Sequence, residues 1–295
     1  MNKMLIGLVG MGLLWGAAAE AEAAKGNTGG QILKVVGVVA RPAAMGEAFC
    51  AVDDGVNSIN PAGLAQVRNV QFSITHQEWI DDLQHVSISS VYPLLDGVIG
   101  ANIAYLTMGK LNGRDAVGNE TGSFAACDMI VGVTYAKTVR KQLAIGLGLK
   151  VLQQRIATEQ AIAIMTDMGA RLQLNKSLSI GAAIQNLGTK VKFVTESDRL
   201  PLSFTIGGAY NTLGDKLLVA VDVNKAVDSN FKVNLGAEYW VTNMLAIRGG
   251  YNSSIDAGDG FSAGAGLRIK NCQIDYALVP YGDLGKTHRI SFSFR

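Results

Sequence analysis

From residue 69 onward the chain repeats one pattern, in which apolar side chains alternate with small or polar ones in short segments. In 143–151, Leu143, Ile145, Leu147, Leu149 and Val151 share one face, while Ala144, Gly146, Gly148 and Lys150 share the other. Segment 217–224 sets Leu217, Val219, Val221 and Val223 against Leu218, Ala220, Asp222 and Asn224. Segments 231–239 and 261–270 read the same way. A period of two marks a β-strand with two unlike faces. Past residue 24 no apolar run reaches the ~18–20 residues that a spanning helix needs, so the apolar content is carried by strands.

Soluble sandwiches also alternate, so the spacing of the segments decides between architectures. Candidate strands fall near 69–77, 84–93, 97–108, 128–138, 141–155, 161–174 and 177–187. They continue near 201–211, 216–225, 231–241, 244–252, 261–270, 272–280 and 287–295. Many approach the ~9–11 residues of a tilted strand that crosses a bilayer. Short turns at 93–96, 139–140, 175–176, 212–215, 242–243 and 270–271 alternate with longer loops. Those loops are 78–83, 109–127, 156–160, 188–200, 226–230, 253–260 and 281–286. Short turns at one end and long loops at the other predict an all-β fold, an antiparallel transmembrane β-barrel of about 14 strands over 69–295. Outer-membrane lipid is then its main partner, and a secreted β protein is the alternative. Composition agrees: charged residues are 17%, against about 25% in an average soluble domain. A net charge of +2 with no basic run argues against nucleic acid.

The N-terminus follows other rules. Lys3, the apolar stretch Met4 to Ala19 and an Ala21-Glu22-Ala23 cleavage site predict a signal peptide over 1–23. Export then leads to the bacterial outer membrane. The segment 24–68 contains "RPAAMGEAFCAVDDGVNSINPAGLAQV" and reads as a short helical piece after Pro42, followed by turns. Asn60-Pro61 is expected to end that helix, because the residue before proline leaves the α region. Irregular backbone at membrane depth is tolerated only where protein or a watery cavity surrounds it, so a luminal plug is the favoured placement. The alternative is a solvent-facing cluster of turns. The plug candidates are Arg41, Gly46, Asp53, Asn60, Pro61 and Gly63. Lys150, Asp167, Arg171, Asp222, Glu238, Arg248, Arg268 and Asp275 fall on the polar phase of their strands and are the candidate lumen wall. Both signs of charge are present, so they can pair with one another and with the plug.

Catalytic and metal-binding patterns fail their structural requirements. "GFSAG" at 260–264 matches a nucleophile elbow, but Ser262 opens a strand that goes on alternating, with no helix to follow. His76, His85 and His288 have no metal spacing, although the first two flank one loop and could meet across a hairpin. Cys50, Cys127 and Cys272 suggest no disulfide framework. No enzymatic activity, cofactor or metal is expected.

The N-terminal segment is similar to that of the PorV/PorQ family and, more distantly, of the FadL family of outer-membrane barrels. The matching residues are Arg41, Gly46, Ala48, Ala51, Asp53 and the run Asn60 to Leu64. The likeness continues at 75–94, 239–251 and 261–295. It implies a barrel of fourteen strands with the N-terminal segment in its lumen. The PorV/PorQ resemblance implies a part in protein secretion or surface attachment, with loops 109–127 and 188–200 meeting secretion-system or surface proteins. The FadL resemblance implies a channel for hydrophobic molecules gated by the plug. An outer-membrane hydrolase is a third class, lacking a catalytic constellation. N-terminal sequencing of the protein from the membrane fraction should begin at or near Ala24; an intact Met1 would contradict the signal-peptide reading.

Overall fold

Fourteen strands close on themselves. The computed structural model describes residues 28–30, 32–35, 39–57, 59–79, 83–94, 96–253, 255 and 258–295. The signal peptide predicted for 1–23 lies outside them. In chain order the first strands are β1 (Gln71–Glu78), β2 (Gln84–Leu94), β3 (Gly97–Arg114) and β4 (Glu120–Arg140). Next come β5 (Leu143–Ile156), β6 (Glu159–Gln173) and β7 (Leu178–Gly188), then a small hairpin of β8 (Val191–Phe193) and β9 (Glu196–Asp198). The wall resumes with β10 (Ser203–Thr212), β11 (Leu217–Ala226), β12 (Phe231–Trp240) and β13 (Leu245–Asn252). It finishes with β14 (Phe261–Ile269), β15 (Cys272–Pro280) and β16 (Lys286–Phe294). β16 pairs antiparallel with β1, from Phe72 opposite Phe294 to Glu78 opposite His288, so the wall has no edge.

The register turns the period-two pattern into two faces. Ile145, Leu147 and Leu149 point outward, 46%, 55% and 58% exposed, whereas Ala144 before them and Leu152 beyond them are buried. Phe72, Ile88, Val133, Ile162, Val221, Leu235, Ile247 and Phe292 extend the exposed apolar surface around the barrel. A belt of this size is untenable in water and suits hydrocarbon. The barrel crosses the membrane with its strands.

Several expected connections differ. The expected loop 109–127 is mostly strand: β3 and β4 stay paired through Lys110 opposite Ala125 to Arg114 opposite Glu120, past a bulge after Thr107. Once clear of lipid, a two-stranded ribbon needs only its backbone hydrogen bonds, so the alternation that marks a wall strand disappears. Asp115 closes its tip by accepting the N–H groups of Asn119 and Val117, which hold its carboxyl below the usual range. The expected loop 188–200 contains β8 and β9, with Val191 and Leu200 buried against the inside of the wall. Residues 156–160 shrink to a turn between β5 and β6. His76 and His85 do not meet: they pair with Val86 and Gln77, so His76 faces out and His85 in.

The segment preceding β1 lies within the barrel. It forms α1 (Ile32–Val35), α2 (Ala40–Ala44) and two 3-10 turns, Gly55–Asn57 and Pro61–Gln66. α2 begins before Pro42 rather than after it, because a proline in the first helical turn forfeits no hydrogen bond. Asn60-Pro61 starts a helical turn instead of ending one: the Asn60 side chain accepts the Ala62 N–H, and Pro61 takes the first position, where its fixed φ is pre-set. α2 packs on β13 to β16, and Pro61–Gln66 packs on β3 to β6.

Replacing Leu147 with Arg should cost about 2–4 kcal/mol if it lies near the bilayer midplane. Gly148→Ser, on the inward face, should cost far less, since an added Cβ meets the Thr134 hydroxyl at 3.1 Å, the Asp167 Cβ at 3.6 Å and the Val133 carbonyl at 3.8 Å, and overlaps no backbone. Urea titration of both variants refolded in lipid measures this, and equal costs would overturn the assignment of faces.

Candidate functional site

The plug rests on glycines. On one side Met45 and Gly46 lie against Gly236 and Gly250, where a Cβ would overlap their backbone. Gly46 itself has φ +62°, favouring glycine, and donates its N–H to Ser262 Oγ at 3.2 Å. On the opposite side Gly146 and Gly169 give room to Pro61 and Asn60, and Gly181 to the Cys50 carbonyl. Asn60 Nδ2 donates to the carbonyls of Cys50, Ala170 and Ala182 at 2.9, 3.0 and 3.3 Å. One buried amide thus joins the plug to two wall strands. Gly63, buried in the same turn, donates its N–H to the Asn60 carbonyl at 2.9 Å.

Charge completes the attachment. Arg41 Nε and Nη2 reach the two Glu238 oxygens at 2.8 and 2.6 Å, a bidentate pair, and Nη1 reaches Asp54 at 2.8 Å. Glu238 also takes Arg248 Nε at 2.6 Å, and Arg248 Nη1 lies 2.8 Å from Asp275. Gln273 donates to Asp275 and accepts from Arg268, whose guanidinium stacks 4.1 Å over Trp240. Arg295 closes the far side on Asp54 at 2.5 Å. Away from this cluster, Arg171 donates to the Ala51 carbonyl at 2.9 Å and stands 3.8 Å from Asp53. Asp222 Oδ2 receives the N–H groups of Phe49 and Cys50 at 2.7 and 2.8 Å.

Toward the long-loop end a cavity of about 470 Å³ remains. Leu33, Val56, Ile59 and Leu64 of the plug line it, as do Ile130, Asn102, Asn224 and Asn234 of the wall. Lys150 and Asp167 border it as a pair 2.7 Å apart. They are positioned by a bulge between β6 and β7, where Asn186 adopts φ 62°, donates its N–H to Asp167 and accepts from Lys150 Nζ at Oδ1.

The structure therefore gathers Arg41, Glu238, Arg248, Asp275 and, through Gln273, Arg268 into one cluster. It sets Arg171 and Asp222 on the stretch 49–53, and it leaves Lys150 and Asp167 away from the plug. Asp54, Arg295 and Asn186 were missed. Asp54 stands beside Asp53 in the segment already singled out, whereas nothing local marks Arg295 or Asn186.

No protein-family model and no curated protein matches the sequence. Solved structures do match. The CymD monoaromatic hydrocarbon channel is 14% identical over 88% of this chain and 96% of its own, with a TM-score of 0.64. The Pseudomonas putida toluene transporter TodX is 12% identical over 85% of this chain and 95% of its own, with a TM-score of 0.60. The chain folds as a FadL-like barrel. A Pseudomonas aeruginosa FadL homologue agrees, 11% identical over 87% of this chain and 97% of its own, with a TM-score of 0.55.

Glu238→Gln would leave two buried guanidiniums undercompensated, at a cost of about 3–5 kcal/mol. The expected result is a barrel that still migrates as folded on a heat-modifiability gel but whose plug is cut by proteinase K. Wild-type protection would show that this cluster does not hold the plug.

Proposed function

We propose that this protein is a non-enzymatic outer-membrane channel that admits small hydrophobic molecules and is closed to ions by its plug. The observation that carries the reading is the cavity set above a plug that is fixed to both sides of a closed FadL-like barrel. Proteins of the same fold include a monoaromatic hydrocarbon channel and a toluene transporter, which supports transport over the secretion role implied by the PorV/PorQ resemblance. A molecule in the cavity has an apolar plug surface, Ile59 and Leu64, to lie against. Ions meet a stopped lumen. The surface-attachment reading keeps one favourable observation, the β3–β4 ribbon that rises beyond the barrel wall and offers a protein partner an exposed tip around Val117.

Two measurements test the proposal. Deleting 25–67 should leave a barrel that inserts, because the wall hydrogen bonds close among β1 to β16 without the plug. In planar bilayers that deletion should conduct where the intact protein does not, and a folded deletion that stays silent would remove the plug. Cells carrying the intact protein in the outer membrane should accumulate at least one of radiolabelled toluene and 4-phenyl-1-butanol faster than cells without it; equal rates for both would sink the transport reading.

A further inference from the structure

The cavity above the plug is apolar on one side and polar on the other, with three acidic and two basic side chains at its border, and this limits what can occupy it. Its plug side presents Leu33, Val56, Ile59 and Leu64. Its wall side presents carboxamides, among them Asn102, Asn224 and Asn234, the last buried with an Oδ1 that accepts no hydrogen bond. The charged residues that border the cavity are Lys150, Asp167, Asp222, Lys232 and Glu47. All but Asp222 have an opposite charge beside them. Lys150 lies between Asp167 at 2.7 Å and Asn186 Oδ1 at 2.9 Å, and the second Asp167 oxygen accepts the Asn186 N–H at 2.8 Å. Asp222 accepts two plug N–H groups through Oδ2, while its buried Oδ1 accepts no hydrogen bond, so the excess charge at the border is negative and repels an anion. Glu47 faces both Arg289 and Lys232, and accepts from Asn252 Nδ2 at 3.2 Å.

Resting on the transport reading, we propose that the cavity selects an uncharged amphipathic molecule, with an apolar body and a hydrogen-bond-donating hydroxyl or amide at one end. A carboxylate entering here loses its water and finds no unpaired cation among the described residues, so its desolvation goes uncompensated. A bare hydrocarbon suits the plug side but strips water from carboxamides that need partners. A neutral polar end satisfies them, because an Asn side chain both donates and accepts. The apolar body then lies on Ile59 and Leu64. The cavity volume of about 470 Å³ is in the range of small-molecule sites, roughly 300–1,000 Å³.

The test uses three ligands on one skeleton, n-butylbenzene, 4-phenyl-1-butanol and 4-phenylbutyrate, titrated calorimetrically into the detergent-solubilised full protein. The alcohol should bind at least about tenfold more tightly than either of the others. Asp167→Asn keeps the shape of the wall and leaves Lys150 without its carboxylate, so affinity for 4-phenylbutyrate should rise about tenfold. The wild-type ranking stands as a test even where that variant does not fold. A wild type that prefers the carboxylate or the hydrocarbon overturns this proposal and leaves transport of hydrophobic molecules intact. A wild type that binds none of the three overturns both.

Discussion

Lipid offers a peptide group no hydrogen bond, and everything else in this molecule follows from that. A strand in hydrocarbon must have a neighbour on each side, so the sheet can end only by meeting its own beginning, as β16 meets β1. Closure gives every strand an inside and an outside, and the outside must be apolar. The inside then becomes a tube whose polar groups would face a column of water unless something fills it. The N-terminal segment fills it at low steric cost because the wall provides glycines where the two backbones approach.

The filling is held by polarity rather than by grease. Glu238 serves two guanidiniums, one from the plug and one from the wall, so neither side of the interface is neutral without the other. An interface of this type resists sliding more than an apolar one does, because any displacement separates desolvated charges before water can reach them. The apolar contacts, such as Phe49 and Val52 against Ala209 and Ala220, fill the remaining space.

Much of the wall was legible because lipid imposes a single rule on every strand it touches. The alternation gave the number of strands, their approximate limits and the inward phase of the charged residues. Where the rule stops applying, so did the reading. β3 and β4 continue into water, where both faces are wet and no period survives, so the sequence there reads as a loop where the structure has a ribbon. Inside the lumen the phase of Glu238 and Arg248 was readable, and their cross-strand pairing follows from the hairpin between β12 and β13. The attachment of Arg295 to Asp54 was not, since it depends on where the chain's far end returns. The Asn186 bulge was hidden as well, because a positive φ at asparagine leaves no trace in an alternating pattern.

The path of the N-terminal segment has a topological consequence. Gly29 donates to the Arg199 carbonyl and Thr28 bonds to Asp228, both in connections at the long-loop end, whereas β1 starts at the opposite end. The chain between them therefore runs the length of the tube. A thread in that position cannot be slipped in sideways once the first and last strands have zipped together; it must be pulled through lengthwise, or the wall must wrap around it. The second route ties the order of assembly, though not the wall's ability to close, to a stretch of chain that contributes no strand to it.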